Sequence, residues 1–333
     1  MLVQLAAFML AAPIPQAAPP TFKVVFLEAP EGAFAYPFEI NAKGEIVGRL
    51  EKQWRSTPAH WDEEGALTVL APPQVERGFY ASGINDSGVI VGTIHHGPYR
   101  GMPVVQTPAD GLQPVQWPLS AWALDINSAG DVLLKYGPSN SVVIGRDGQV
   151  QRIPHPGIFP IGMALSDDGF VAGFGYKGGK YVPFRWSEPG GYEELAAPIS
   201  GTVTAIANDG VVAGALSGWG GSQAALWDAA GNARMLPFSL VPPSYGALHS
   251  SVALDLNDAG WVVGNQQGLS SSGTYGNHGT LWIDGQPFEL NELLVNPSPR
   301  ILIFEAYGVN AAGQIACVGW VRDEMRGMRL DPL

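Results

Sequence analysis

The sequence predicts an all-β fold, a seven-bladed β-propeller built of four-stranded antiparallel blades, and three observations predict it. A nine-residue pattern recurs seven times, a second hairpin signal follows each copy, and the strand that the last repeat lacks is present near the N-terminus.

The first observation is the repeat itself. INAKGEIVG, INDSGVIVG, INSAGDVLL, LSDDGFVAG, IANDGVVAG, LNDAGWVVG and VNAAGQIAC place their glycines at Gly44, Gly88, Gly130, Gly169, Gly210, Gly260 and Gly313. Intervals of this size mark a repeat architecture in which each unit completes its core against its neighbours. Within each copy the residues before the Asn read as a strand, N-x-x-G as a tight turn, and the apolar run as the return strand. Asn and Asp close such turns with their own side chains, and Gly accepts a positive φ there. The return strands are almost wholly apolar, which implies burial on both faces.

The second hairpin gives each unit its outer strands. PAHWDEEGALTVL from Pro58, FRWSEPGGYEEL from Phe184, ALWDAAGNARML from Ala225 and TLWIDGQPFEL from Thr280 each read strand, turn, strand, with Trp61, Trp186, Trp227 and Trp282 ending the third strand. Recurring beside a strand end, these four read as packing residues between blades. SVVIGRDGQVQRI and VVQTPADGLQPVQW are the counterparts in the third and second repeats. Four strands per unit make a propeller blade. No segment sustains a 3.6-residue apolar period, which excludes a helical solenoid.

The third observation concerns closure. The seventh repeat ends at MRGMRLDPL, its third strand, while TFKVVFLE at Thr21 to Glu28 stands alone and fits a fourth strand. Phe22 to Leu27 is therefore expected to pair with the strand around Met328 to Leu330 and leave no open seam. The organisation expected is a signal peptide or disordered terminus over residues 1–20 and a single propeller domain over 21–333. MLVQLAAFMLAA followed by PIPQAAPP has the length of a secretory leader and is too short to span a bilayer.

Composition narrows the function classes. Charged residues are 14% of the chain against about 25% in ordinary domains, which with 43 Gly and 28 Pro fits many short strands joined by turns. A net charge of -12 repels phosphate backbones and anionic lipid, so nucleic acid is not an expected partner. The lone Cys317 makes no internal disulfide and stands where other repeats have Gly, so it reads as a small buried thiol. No Cys/His spacing suits zinc, and no cofactor is expected.

The hairpin I-N-D-x-G-x-V-V-G, the A-L-W-D-x-x-G element and the terminal stretch ELNELLVNPSPRILIFEAYGVNAAGQIACVGW resemble HAF-repeat proteins, a bacterial extracellular-repeat family. The resemblance covers about residues 21–333, although the eponymous His-Ala-Phe is reduced to AHW near His60 and HGTLW near His278. It implies export and a propeller-like fold, and no established activity.

Candidate site residues were weighed against scaffold roles. Turn asparagines and aspartates such as Asn85, Asp86, Asp168 and Asp258 offer oxygens, but Ser166 and Ala207 replace Asn without loss of the motif, which respects turn geometry and ignores a calcium ligand count. No nucleophile elbow, H-E-x-x-H or phosphate loop accompanies the histidines, and the pair His95 and His96 reads as solvated loop. The acidic pairs Asp62/Glu63, Glu193/Glu194 and Asp323/Glu324 lie near turns. The stronger signal lies between strands two and three, where every blade carries an aromatic: Trp54, Tyr99, Tyr136, Tyr176, Trp219, Tyr275 and Trp320. Equivalent loops of a propeller open on one face, so these residues are the proposed ligand-binding set. The function expected is that of an exported, monomeric, non-catalytic binding or surface-interaction propeller for a glycan or a protein, without stable membrane insertion. The alternatives are a polysaccharide lyase or hydrolase with its site in the central channel, or a purely structural envelope protein.

Overall fold

The computed structural model describes residues 18–333 apart from 54, 71–78, 96–100, 138–139, 155–158, 219–220, 241–248, 272 and 297–300. Seven four-stranded antiparallel sheets form the blades. Blade 1 runs Phe34–Ile40, Ile46–Lys52, Arg55–Trp61 and Leu67–Val69, and blades 2 to 6 repeat this order from Phe79, Ala121, Phe159, Ser200 and Ser250. Blade 7 contributes Ile301–Val309, Ile315–Val321 and Glu324–Pro332, and its outer strand is the N-terminal Phe22–Phe26. That strand pairs Phe22 with Pro332, Val24 with Leu330 and Phe26 with Met328, so the ring closes as the strand count predicts.

The first strand of each blade is the innermost. First strands of neighbouring blades touch all around the ring and enclose a central channel. Their sequences contain a feature that repeat reading does not reveal: each carries a β-bulge at the same place, for example between Pro37 and Glu39, Ala123 and Asp125, and Ala253 and Asp255. A bulge leaves one residue unpaired and re-aims its side chain. The unpaired residues are Phe38, Ser82, Leu124, Met163, Thr204, Leu254 and Tyr307, and all seven line the channel. In five blades the motif ends in a Gly pressed against the first strand, while Leu134 and Cys317 stand there in blades 3 and 7. A Cβ on Gly48 would lie 1.9 Å from the Tyr36 carbonyl oxygen, and one on Gly214 2.0 Å from that of Thr202.

No hydrophobic core occupies the centre. The buried side chains form seven slabs, one between each pair of blades: Val47, Phe79 and Val104 join blades 1 and 2, while Val203, Val212 and Trp227 meet Ala164 and Ala172 of blade 4. Trp61, Trp227 and Trp282 are fully buried, and each donates its indole N–H to a carbonyl just past the outer strand of the preceding blade, on Glu28, Ala196 and Pro237. Trp186 is buried too, as a packing role requires. Cys317 is fully buried in the slab between blades 6 and 7, and burial pushes its thiol pKa up.

The N-terminal strand is held by more than its ladder. Phe22 is fully buried between blades 6 and 7, and its carbonyl accepts the Val295 N–H at 2.9 Å. Phe22→Ala is expected to cost about 3–5 kcal/mol, the usual range for emptying a buried aromatic site. Urea unfolding followed by tryptophan fluorescence measures it, and an unchanged midpoint would deny the strand its sealing role.

Candidate functional site

Antiparallel order divides the disc into two faces. Turns between strands one and two, and between three and four, lie on one face. Turns between strands two and three share the other face with the blade-to-blade connections.

On the first face the seven N-x-x-G turns surround a cavity of about 340 Å³ at the channel mouth. Each turn Asn has two tasks. Its Oδ1 closes the turn, accepting the N–H groups of Lys43 and Glu45 at Asn41 and of Ser87 and Val89 at Asn85. Its Nδ2 reaches the next blade: Asn41 to Asn85 O at 3.1 Å, Asn85 to Asn127 O at 3.0 Å, Asn257 to Asn310 O at 2.8 Å, and Asn310 across the seam to Asn41 O at 2.8 Å. Asn127 makes a longer bond of 3.4 Å to Ser166 O. Ser166 and Ala207 have no amide to pass on. Arg185 spans blades 4 and 5 there, donating to the carbonyls of Gly210 and Ala229 and pairing with Glu193.

The residue after the Asn links four of the blade pairs. Asp86 accepts the Ala42 N–H, Asp167 that of Ser128, Asn208 that of Asp167, and Asp258 that of Asn208, all at 2.6–2.9 Å.

Deeper in the channel, two residues before the Asn, the blades carry Glu39, Gly83, Asp125, Ala164, Ala205, Asp255 and Gly308 in order. The three acids face the next blade. Asp125 Oδ2 accepts the Leu165 N–H at 2.7 Å, Asp255 Oδ2 accepts that of Val309 at 2.8 Å, and Glu39 accepts that of Ile84. Burial raises the pKa of all three, Asp125 to about 7 and Asp255 to about 6, and the charge of the other two acids adds to the effect on Glu39. No Lys, Arg or His stands among the described residues lining the cavity. These acids were not singled out from the sequence. The signal available was FEIN, LDIN and LDLN, an acid where the other repeats have Gly or Ala.

The remaining acidic pairs have local partners: Asp62 closes its own turn, Glu194 holds Lys177, and Glu324 holds Arg326. His95 stacks edge-on against Tyr80 with centroids 4.8 Å apart, and His96 lies outside the described residues.

On the opposite face the structure describes four of the seven proposed ligand-binding aromatics. Trp54, Tyr99 and Trp219 lie outside the described residues. The four stand at strand ends flanking the second-to-third-strand turns. Tyr176 is 56% exposed and Trp320 45% exposed. Tyr176 pairs across its hairpin with Tyr181, itself 45% exposed, and Tyr181 packs edge-on against both Tyr176 and Phe174 with centroids 5.6 and 5.5 Å away. The tip between them is Gly178–Gly179, both at positive φ, flanked by Lys177 and Lys180. Trp320 lies 6.3 Å from Phe304. Tyr275 is 44% exposed. Tyr136 differs: it is half-buried against Trp117 and accepts a hydrogen bond from Arg152, which makes it a local packing residue. Tyr181 was not proposed from the sequence, because it opens a strand instead of sitting in the loop.

No protein-family model and no curated protein matches the chain. Among solved structures it is similar to streptogramin B lyase (TM-score 0.51, 11% identity, 94% of this chain and 98% of that one). It is also similar to virginiamycin B lyase from Staphylococcus aureus (0.53, 13%, 92% and 98%) and to YCF48 bound to D1 peptide (0.52, 13%, 98% and 99%). The β-propeller domain of the Trilobed protease from Pyrococcus furiosus aligns at TM-score 0.60 with 10% identity over 90% and 94% of the chains, and has an open velcro topology, unlike the sealed seam here. Such identities establish the shared propeller fold. They also correct one expectation. Two proteins of this fold over nine-tenths of both chains are lyases, so a non-catalytic assignment does not stand. The missing sequence motifs exclude only the chemistries those motifs serve. No described helix is long and apolar enough to cross a membrane.

Asn310→Asp separates the two tasks of the turn residue. It keeps the oxygen that closes the turn onto the Gln314 N–H and removes the donor to Asn41 O. A loss of about 1–3 kcal/mol is expected from the orphaned buried carbonyl. Urea unfolding of this variant beside Asn310→Ala checks it: equal, small losses would mean the bond across the seam contributes nothing.

Proposed function

We propose that the chain is an exported binding propeller of the HAF-repeat type that contacts a glycan or another protein through the face bearing the second-to-third-strand turns. One observation carries this reading. The repeat's other recurrent aromatics, Trp61, Trp227 and Trp282, are fully buried, whereas Tyr176, Tyr181 and Trp320 keep about half of their surface open on a single face. Exposed aromatics need a reason where their equivalents are packed away, and rigid rings beside a bare glycine tip give flat platforms of the kind sugars and peptides use.

A peptide ligand is supported by YCF48, a structure of the same fold bound to D1 peptide. A glycan is supported by the shape of the surface, which offers open rings instead of an enclosed anchor pocket. Export rests on the N-terminal residues and the family resemblance. The turns of the opposite face bear Glu45, Asp62, Glu63, Asp86, Asp147, Asp167, Asp209 and Asp258 against Lys43 and Arg146, and such a face stays hydrated instead of docking apolar surface.

Tyr176→Ala and Trp320→Ala are expected to weaken ligand binding about tenfold each with stability changes within about 0.5 kcal/mol. A glycan array run with the chain and both variants checks this. Selective binding lost in the variants supports a carbohydrate ligand, a blank array moves the ligand to a protein, and a matching fall in melting temperature would make the two residues structural.

A further inference from the structure

We propose that Asp255, Glu39 and Asp125 form a proton-operated latch at the channel axis, one that tightens the ring across blades 6 to 4 when its carboxyls carry protons and loosens it when they ionise. The placement of the acids carries the inference. Reading around the ring from blade 6, equivalent positions hold Asp255, Gly308, Glu39, Gly83, Asp125, then Ala164 and Ala205. Acid alternates with glycine over five blades. The glycines are not incidental: a Cβ on Gly83 would stand 3.2 Å from Glu39 Oε2 and 3.4 Å from Asp125 Cα, and one on Gly308 would stand 3.6 Å from Glu39 Cα. Glu39 Oε2 thus reaches space that a side chain on Gly83 would crowd, whereas the approach at Gly308 is ordinary van der Waals contact.

No described residue lining the cavity carries a positive charge, and the guanidinium of Arg49 stands behind the lining, 5.3 Å from the centroid of the Phe38 ring. The titratable groups among the described residues lining the cavity are Glu39, Asp86, Asp125, Asp167, Asp255, Asp258 and Tyr307, and Tyr307 gives its hydroxyl proton to Glu305 at 2.7 Å. Three carboxylates that share one cavity repel one another and, half-buried, keep only part of their hydration, so the folded ring favours protons there. Each acid nevertheless still accepts the next blade's N–H, at Leu165, Val309 and Ile84. A protonated carboxyl keeps that bond through its carbonyl oxygen. Ionisation keeps it too, but adds repulsion between blades 1, 3 and 6, which separation of those blades relieves.

The sign follows from linkage. The folded pKa values lie above those of the unfolded chain, so between about pH 4 and pH 7 the native state binds more protons than the unfolded state. Stability from these groups is therefore complete at low pH and is lost as pH rises through the folded pKa values. That is opposite to the behaviour of a carboxylate held in a salt bridge.

Two measurements on the full chain test the latch. The melting temperature is expected to fall by roughly 5 °C between pH 5 and pH 8, and Glu39→Gln, which keeps an acceptor for Ile84 but cannot ionise, is expected to remove much of that fall, as are Asp125→Asn and Asp255→Asn. Amide exchange, corrected for intrinsic rate, is expected to show protection at Ile84, Leu165 and Val309 dropping over the same pH range while Ile40 and Ile206, which follow blades without an acid at this position, hold theirs. The second measurement uses the unaltered protein and stands even where a variant fails to fold. A flat profile, a variant with the same pH slope as the parent, or equal loss at all five amides would overturn the proposal.

Discussion

Everything near the axis answers one constraint: the innermost strand of each blade is a sheet edge, and an edge exposes N–H and C=O groups that must find partners. Blades cannot pair edge to edge around a channel, so side chains do the pairing. Asn Nδ2 covers the turn carbonyl of the next blade, Ser82 and Thr204 donate to the carbonyls of Ala123 and Ala253, and Thr93 and Ser141 accept the N–H groups of Ala123 and Gly162. The three acids complete the set. Hydrophobic slabs supply most of the burial between blades, and this polar inner rim fixes how they are registered.

The same constraint explains which parts of the fold the sequence disclosed. Turn chemistry is local, so N-x-x-G, with Ser166 or Ala207 for the Asn in two repeats, announced every first hairpin, and counting strands was enough to place Phe22–Phe26 beside Glu324–Pro332. The second task of the asparagines was hidden because its partner lies a whole repeat away: Asn41 and Asn85 are separated by 44 residues, and Asn310 and Asn41 by 269. The bulges were hidden for another reason. A bulge is a register relation between two strands, and the apolar pattern of ALDIN or VALDL looks the same with it or without it.

For the candidate sites the lesson is about symmetry. The turn glycines of all seven repeats and the tryptophans of four are scaffold. Tyr176 with Tyr181 and the arc of Asp255, Glu39 and Asp125 are departures from the repeat, visible once equivalent positions are set side by side. Aromatic counting pointed to Tyr176 and Trp320, which are exposed, because each blade has a second-to-third-strand turn to inspect. It also gathered Tyr136, which is packed against Trp117, since sequence spacing does not report which way a ring turns.

The asparagine bridges all run in one sense, donor on one blade and acceptor on the next, and the seam between blades 7 and 1 obeys the same rule as the others. Each repeat is thus a tile with unlike sides, and tiles of that kind join head to tail without limit unless their rotation closes. Seven tiles close here. Five tiles carry the asparagine clasp and blades 4 and 5, with Ser166 and Ala207, do not, so a duplicated or deleted unit among those five leaves a matched join and a different turning angle. Such a chain can change its number of blades without inventing a new interface.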